Sequence, residues 1–297
     1  MPALFVTGAG GFVGRRFIDL AAGRTDLRVT ALVRNTLPDP APAAVDFVRA
    51  DLLDPAGLPA LDGIDTVVHL AALTGKAPAA AFRRVNVEAT TRLLEACRRA
   101  GVRRFLFVSS IAAKFTDTHY PYADSKRDAE AAVRASGLRT VIVQPTIILG
   151  PGSPIGERFR TLATAPVVPV FGHGRALIQP IHVDDLARVL LALIERDRFD
   201  GETLEVGGPD IIPIEEFLRR VHRSVRGSEP RTLHIPVVPL RALLSLLEKV
   251  SIALVPFTAG QLASFSNDGV AVDAGVSGLV RDMRSVDEMI ADLVRHG

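Results

Sequence analysis

Two kinds of apolar pattern alternate along the chain. Short, nearly continuous apolar runs are ALFVT at residues 3–7, RVTALVR at 28–34, AVDFVRAD at 44–51, DTVVHLAA at 65–72, RRFLFVSS at 103–110 and RTVIVQPT at 139–146. Runs of this length, rich in Val, Ile and Phe, predict strands covered on both faces. Between several of them the apolar residues recur at helical spacing. Phe12, Val13, Phe17, Ile18 and Leu20 form one such set, and Val87, Leu93, Leu94 and Cys97 another, closed by Gly101 as a C-cap. A third helix is predicted over YADSKRDAEAAVRASG, ending at Gly137.

Strand–helix alternation over about the first 150 residues implies an α/β fold, a doubly wound parallel sheet of the Rossmann type. The expected division is a dinucleotide-binding domain over residues 1–150 and, over 151–297, a small substrate lobe with helices packing back on the sheet. Texture changes after Gly150: prolines at 151, 154, 166 and 169 mark loops, and shorter elements follow. PIHVDDLARVLLALIE reads as a loop entering a helix with Asp184 or Asp185 near its start, ETLEVGGPD as a strand and turn, and IPIEEFLRRVHRSV as a further helix. The apolar stretch at 233–260 contains Arg241, Glu248, Lys249 and prolines. It predicts a lobe helix over a pocket rather than a lipid-spanning helix or a membrane-surface contact.

TGAGGFVGRR at residues 7–16 puts glycines between the first strand and the first helix. Gly8 permits a tight turn, Gly11 lets backbone approach a pyrophosphate, and Gly14 permits close helix–strand packing. The helix start then offers unpaired N–H groups and a positive dipole end. At the end of the second strand, where NAD sites place an acid, stand Val33 and then Arg34. A guanidinium suits a 2′-phosphate, so the expected cofactor is NADP, with NAD the other choice. Arg15 is a second candidate contact, and Asp51, ending the third strand, would accept from the adenine amino group.

Tyr122 and Lys126 lie four apart, so one helix face presents both. An ammonium beside a phenol is expected to lower its pKa from about 10 and make it a usable acid or base. Ser109 and Ser110 end a strand at the sheet edge where α/β sites lie, and offer a hydroxyl to orient a substrate oxygen.

With these residues in place the chain resembles the short-chain dehydrogenase/reductase superfamily, in its extended, epimerase/dehydratase-like branch. The resemblance rests on TGAGGFVG, DLLD at 51–54, VVHLAA at 67–72, Asn86, FVSS, YADSK, QPTIILGPG at 144–152 and PIHVDDLA at 180–187, and spans nearly the whole chain. It implies a catalytic set of Ser110, Tyr122 and Lys126, with Tyr122 as general acid/base. It also implies cofactor contacts from the glycine loop with Phe12 and Val13, from Asp51, Leu52, Ala71 and Lys126, and from the backbone after Pro145. Asn86 would be a structural or proton-relay residue.

Departures from that pattern shape the substrate expectation. Sugar-nucleotide members commonly carry a basic residue shortly before the IHV segment; here Ile178 and Gln179 stand there. Arg158, Arg160 and Arg175 are the remaining candidate anchors. The expected partner is therefore a small-molecule substrate without strong diphosphate anchoring, in a pocket walled by Leu, Val and Ile. The cadence of SGLRTVIVQPTIILGPG is also similar to the branch containing the accessory NAD(P)H-binding subunit of respiratory complex I. In those relatives the tyrosine is often lost, whereas Tyr122 and Lys126 remain here.

Composition narrows the classes further. Lysine and arginine number 35 against 33 acidic residues, a formal charge of +2, which is no nucleic-acid footprint. The single cysteine, Cys97, excludes an internal disulfide and a Cys-rich zinc site, and the histidine spacing gives no metal signature. His69 and His182 read as hydrogen-bonded structural histidines. MPALFVTGAG lacks a basic, apolar leader pattern, so a cytoplasmic location is expected. The helices at 86–100 and 122–135 would either pair in a homodimer or pack internally. Three functions remain open: an NADP(H)-dependent oxidoreductase, a nucleotide-sugar epimerase or dehydratase, and a non-catalytic dinucleotide-binding assembly or sensor protein.

Overall fold

Strand β1, Ala3–Thr7, is buried at every position, because both of its faces are covered. Its alternate side chains enter two different cores: Leu4 and Val6 point to one side, Phe5 to the other. The structure is a computed structural model that describes residues 1–54, 57–116, 119–252, 255, 257–265, 267–272 and 278–295.

The central sheet is built from β1, β2 (Arg28–Val33), β3 (Val45–Arg49), β4 (Thr66–His69), β5 (Arg104–Val108), β6 (Arg139–Pro145) and β11 (Thr203–Val206). Their order is β11-β6-β5-β4-β1-β2-β3, with every pairing parallel. The first six strands fall on the six apolar runs. The order reverses between β1 and β4, and the crevice beyond their carboxyl ends is where such sheets bind ligands.

Helix α1, Phe12–Ala22, and helix α6, Val183–Glu195, cover one face through Phe17, Ile18, Leu186 and Leu190. Helices α3, Ala89–Arg99, and α4, Pro121–Arg134, cover the other through Leu93, Leu94, Cys97, Ala129 and Val133. Each fully buried side chain of this size contributes about 1.5–3 kcal/mol. Gly101 and Gly137 take positive φ just past α3 and α4, as C-terminal stops. Helix α3 is preceded by α2, Ala79–Phe82, and a π-helical turn, Arg83–Glu88, that the periodicity did not foretell.

The second half contributes the short strands β7 (Ile148–Leu149), β8 (Val168–Phe171), β9 (Leu177–Ile178) and β10 (Ile181–His182), then β11 to the sheet, α6 to its cover, and a separate cluster. There α5 (Pro154–Ala163), α7 (Ile214–Arg226) and α9 (Val286–Arg295) pack through Phe159, Phe217, Val221, Met289 and Leu293. The apolar stretch forms α8, Val237–Val250, which buries Leu244 but leaves Val238, Leu243, Leu246 and Val250 exposed. Among the described residues no helix is long and apolar enough to cross a membrane.

Candidate active site

The glycine turn sits at the switch point. Gly8 has φ +73°, and a Cβ there would lie 2.6 Å from the Ala71 nitrogen, so the turn presses on the segment leaving β4. A Cβ on Gly14 would lie 2.0 Å from the Gly8 carbonyl oxygen, which holds α1 against the turn. The Gly11 N–H donates to that same carbonyl at 2.9 Å. Helix α1 then begins at Phe12 with no side-chain cap and no acid in its first turn. Its leading amides and dipole end are thus left for an external anion, and the exposed Gly10 and Gly11 put no side chain in the way.

The residues expected to contact the nucleotide lie on the loops and strand ends of the same sheet. A Cβ on Gly10 would lie 3.8 Å from the Thr36 carbonyl, so the loop leaving β2 with Arg34 runs beside the turn. Arg34 is exposed, and Arg15 Nε donates to the Gly10 carbonyl at 3.3 Å. Asp51 Oδ1 accepts from the Leu53 N–H at 2.9 Å, which fixes the turn after β3, and Leu52 is buried beside Leu32 and Leu61. The Ala71 N–H reaches Thr7 Oγ1 at 3.3 Å. Pro145 is buried at the end of β6.

The strand end at β5 delivers Ser109 and Ser110 in opposite directions. Ser110 Oγ caps the short 3₁₀ turn Ile111–Lys114 by accepting from the Ala112 N–H at 3.2 Å. Its hydroxyl also acts on the Tyr122 phenol, favouring the charged form. Ser109 Oγ donates to Glu130 Oε1, which also accepts from Gln144 Nε2 at 2.8 Å; Glu130 Oε2 accepts from Arg134 at 2.9 Å. Glu130 is eight residues beyond Tyr122 on the same helix face, a stripe legible in the sequence but not singled out there.

Lys126 is 2% exposed. Its Nζ donates to the Val108 carbonyl at 2.7 Å and lies 4.4 Å from the Phe107 ring centre. Burial pulls the ammonium down to about 7, against the opposing pull of Glu130. The spacing of Tyr122 and Lys126 led to the expectation of a lowered phenol pKa. In the folded protein burial instead pushes Tyr122 up, with the Ser110 hydroxyl acting in the opposite sense. The physical reason is the orientation of Lys126: its charge is spent on a backbone carbonyl and a ring face.

Neighbouring polar groups hold this arrangement. Asn86, in the π-helical turn, accepts from the Leu73 N–H at 2.7 Å and donates to the Leu73 carbonyl and to Ser125 Oγ. Ser125 Oγ in turn donates to the Tyr122 carbonyl at 2.7 Å. One amide side chain therefore ties the loop after β4 to the first turn of α4. His69 lies between Thr7 Oγ1 at 2.6 Å and Thr90 Oγ1 at 2.9 Å, stacked on Phe107. Burial, with Lys126 adding to it, drops the imidazole to about 3. It is a neutral bridge, as expected of a structural histidine. His182 caps α6 by accepting from the Asp184 N–H at 3.1 Å, and Arg284 lies against its ring. The cap is thus His182, and Asp184 and Asp185 stand in the first turn of α6, near its start as expected.

Of the other arginines considered, Arg160 pairs with Glu157 at 2.9 Å, and Arg175 is exposed. Ile178 is 1% exposed, and Gln179 spends its amide on the Gly208 carbonyl and the Ala271 N–H. Arg158, exposed on α5, acts electrostatically on Tyr120, a second tyrosine that the motif reading passed over.

Residues 4–207 match the model of the NAD dependent epimerase/dehydratase family. The chain is 34% identical over 236 residues to a ceramide reductase of Caulobacter vibrioides, covering 78% of this chain and 73% of the relative. It is 29% identical to a 2-alkyl-3-oxoalkanoate reductase of Stenotrophomonas maltophilia, covering 75% of each. Among solved structures, a dTDP-glucose 4,6-dehydratase from Streptomyces venezuelae with NAD bound is 26% identical. It superposes with a TM-score of 0.67 over 79% of this chain and 84% of its own.

Proposed function

Because the chain belongs to the NAD-dependent epimerase/dehydratase family, we propose that it is an NAD(P)-dependent oxidoreductase acting at a carbonyl or hydroxyl carbon, with NADP(H) favoured. The observation that carries this reading is that Ser110, at the end of β5, acts on the Tyr122 phenol, which shares one helix face with the buried Lys126. The uncapped start of α1 fits a dinucleotide diphosphate, with the backbone at Gly8, Gly11, Phe12, Val13 and Gly14 around it. Asp51 and Leu52 would border the adenine. Ala71 and Pro145 would border the nicotinamide side. Exposed Arg34, with Arg15 close by, supports NADP, because a guanidinium fork matches a phosphate.

When bound, the nicotinamide supplies or accepts the hydride. The remaining work falls to side chains of this chain. Ser110 and Tyr122 hold the substrate oxygen, and Tyr122 passes its proton to that oxygen as the carbon is reduced. Ketone, reduced nucleotide and one proton thus give alcohol and oxidised nucleotide. Lys126, one helical turn along, would turn its ammonium to a ribose hydroxyl, and the Ser110 hydroxyl favours the phenolate left behind. In the oxidative direction the same phenolate takes the proton back.

Sugar-nucleotide epimerisation or dehydration is the second reading, favoured by the likeness to the dehydratase. Against it, Ile178 and the fully engaged Gln179 offer no cation at the position expected to grip a diphosphate. The test is a screen of ketones and aldehydes with NADPH, run on the parent and on Tyr122→Phe. The substitution is expected to cost about a hundredfold or more in kcat while NADPH binding is kept. Equal rates in the two proteins would overturn the assignment.

A further inference from the structure

Glu130 is 3% exposed on α4 and has no part in the chemistry assigned above. A carboxylate so deep is costly unless its oxygens are met. Oε1 accepts from the Ser109 hydroxyl and from Gln144 Nε2 at 2.8 Å, and Oε2 accepts from Arg134 Nη2 at 2.9 Å. That same Arg134 nitrogen donates to Thr203 Oγ1 at 2.9 Å. Ser109 follows β5, Gln144 belongs to β6 and Thr203 to β11, which are neighbouring strands. One side chain thus ties α4 to this side of the sheet. The groups that meet it directly are all donors, so the place calls for a charged acceptor. An amide there would set its own N–H groups against one of them.

The tie falls beside the reaction site. Tyr122, Lys126 and Glu130 stand one turn apart along one face of α4. Lys126 Nζ donates to the Val108 carbonyl at 2.7 Å and Glu130 accepts from Ser109, so successive helical turns grip successive residues of the strand end. Ser110 is the next residue, and its place relative to Tyr122 depends on both grips. The charges around the Lys126 ammonium leave Glu130 as its counter-charge. Burial keeps His69 on β4, pulled down to about 3, and Cys97 on α3, pushed up to about 12, neutral near pH 7, and it pushes Tyr122 up as well. From β5 come the Phe107 ring and the Val108 carbonyl, which carry no net charge. Lys114 of the 3₁₀ turn pairs with Glu205 at 3.0 Å, Arg127 pairs with Asp124, and exposed Arg134 sits on the other oxygen of Glu130.

Resting on the reductase reading, we propose that Glu130 is a positioning residue whose anionic carboxylate holds Ser110 and Lys126 in register with Tyr122. It acts through other side chains and not on the substrate. Through Ser109 it fixes the strand end that delivers the Ser110 hydroxyl, and as a counter-charge it favours the ammonium form of Lys126. Removing its charge lets Lys126 give up its proton at lower pH, so the alkaline loss of activity moves downward as well. A glutamate that only braced the fold would change the melting temperature and leave that titration where it is.

The experiment takes two readouts on the full chain. One is the titration of Lys126, followed by NMR on protein carrying labelled lysine. The other is the pH profile of kcat with NADPH and the best ketone of the screen above. The proteins are the parent, Glu130→Gln, Glu130→Asp and Ser109→Ala. In Glu130→Gln the Lys126 titration and the alkaline limb of kcat are expected to move down together by about one pH unit, with kcat at its optimum about tenfold lower. Glu130→Asp keeps the charge and should restore the titration. Ser109→Ala leaves the carboxylate in place, so it should lower kcat several-fold with the titration unmoved, and it gives that readout even if Glu130→Gln fails to fold. Lys126 titrating at the same pH in parent and Glu130→Gln, or Ser109→Ala turning over at the parent's rate, overturns the proposal. A titration that moves while the parent reduces no carbonyl refutes the reductase reading and leaves the link from Glu130 to Lys126 standing.

Discussion

Lys126 carries two opposed demands. Burial draws its ammonium down to about 7, so near neutral pH the group is poised between charged and neutral forms. Its folded pKa lies below the ordinary value of 10.5, so the unfolded chain binds the extra proton more tightly. Stability is reduced fully below about 7 and recovers as pH rises from there toward 10.5. Lys126→Met is therefore expected to raise the melting temperature most at and below pH 7. The gain should shrink as pH climbs toward 10.5, and activity should be lost throughout. Melting curves across that range check it, and a gain independent of pH would contradict it. Arg34 is the other single-residue wager. Removing one charge-assisted contact to a phosphate should cost about tenfold in affinity, so Arg34→Ala is expected to narrow an NADPH-over-NADH preference about tenfold. Dissociation constants for the two nucleotides test this, and an unchanged ratio would remove Arg34 from the 2′-phosphate site.

At the scale of elements, strands β1 to β6 were readable because a buried parallel strand needs a short, nearly continuous apolar run bounded by turn residues. Helices α1, α3 and α4 were readable from spacing and their glycine stops. The π-helical turn at Arg83–Glu88 was not, because its cause is tertiary: Asn86 reaches across to Leu73 and Ser125. The His182 cap was hidden for a different reason, since Asp, Asn, Ser and Thr dominate that position and two aspartates follow it. Seeing Tyr122 and Lys126 on one face was correct geometry, but the sequence did not carry the Val108 carbonyl that claims the ammonium. Nor did spacing show that the lobe returns at Gly260 onto Tyr120. The glycine turn gives a sharp element-level prediction. Gly14→Ala drives a methyl into the Gly8 carbonyl and should destabilise the fold by about 1–3 kcal/mol, whereas Gly10→Ala meets only the Thr36 carbonyl at 3.8 Å and should leave the melting temperature alone. Equal melting temperatures for the two variants would contradict the packing role.

For the whole molecule, the second half packs onto the sheet and reaches the loop after β4. Strand β11 extends the sheet beside β6, α6 backs it against α1, and Lys76, on the loop after β4, donates to the Val255 carbonyl at 2.6 Å. The segment at Gly260 also closes on Tyr120, whose ring lies beside that of Tyr122, so parts of the chain more than a hundred residues apart meet next to the phenol. Net hydride transfer is the claim on which this arrangement stands or falls. The direct measurement uses NADPH deuterated at the hydride-donating carbon, incubated with a reducible 3-oxo substrate, and follows the label by mass spectrometry. Deuterium should appear on the new carbinol carbon with the parent protein and be absent with Tyr122→Phe, which still binds the nucleotide. Label that never leaves the nucleotide while a nucleotide sugar is rearranged, or equal transfer by both proteins, would contradict it.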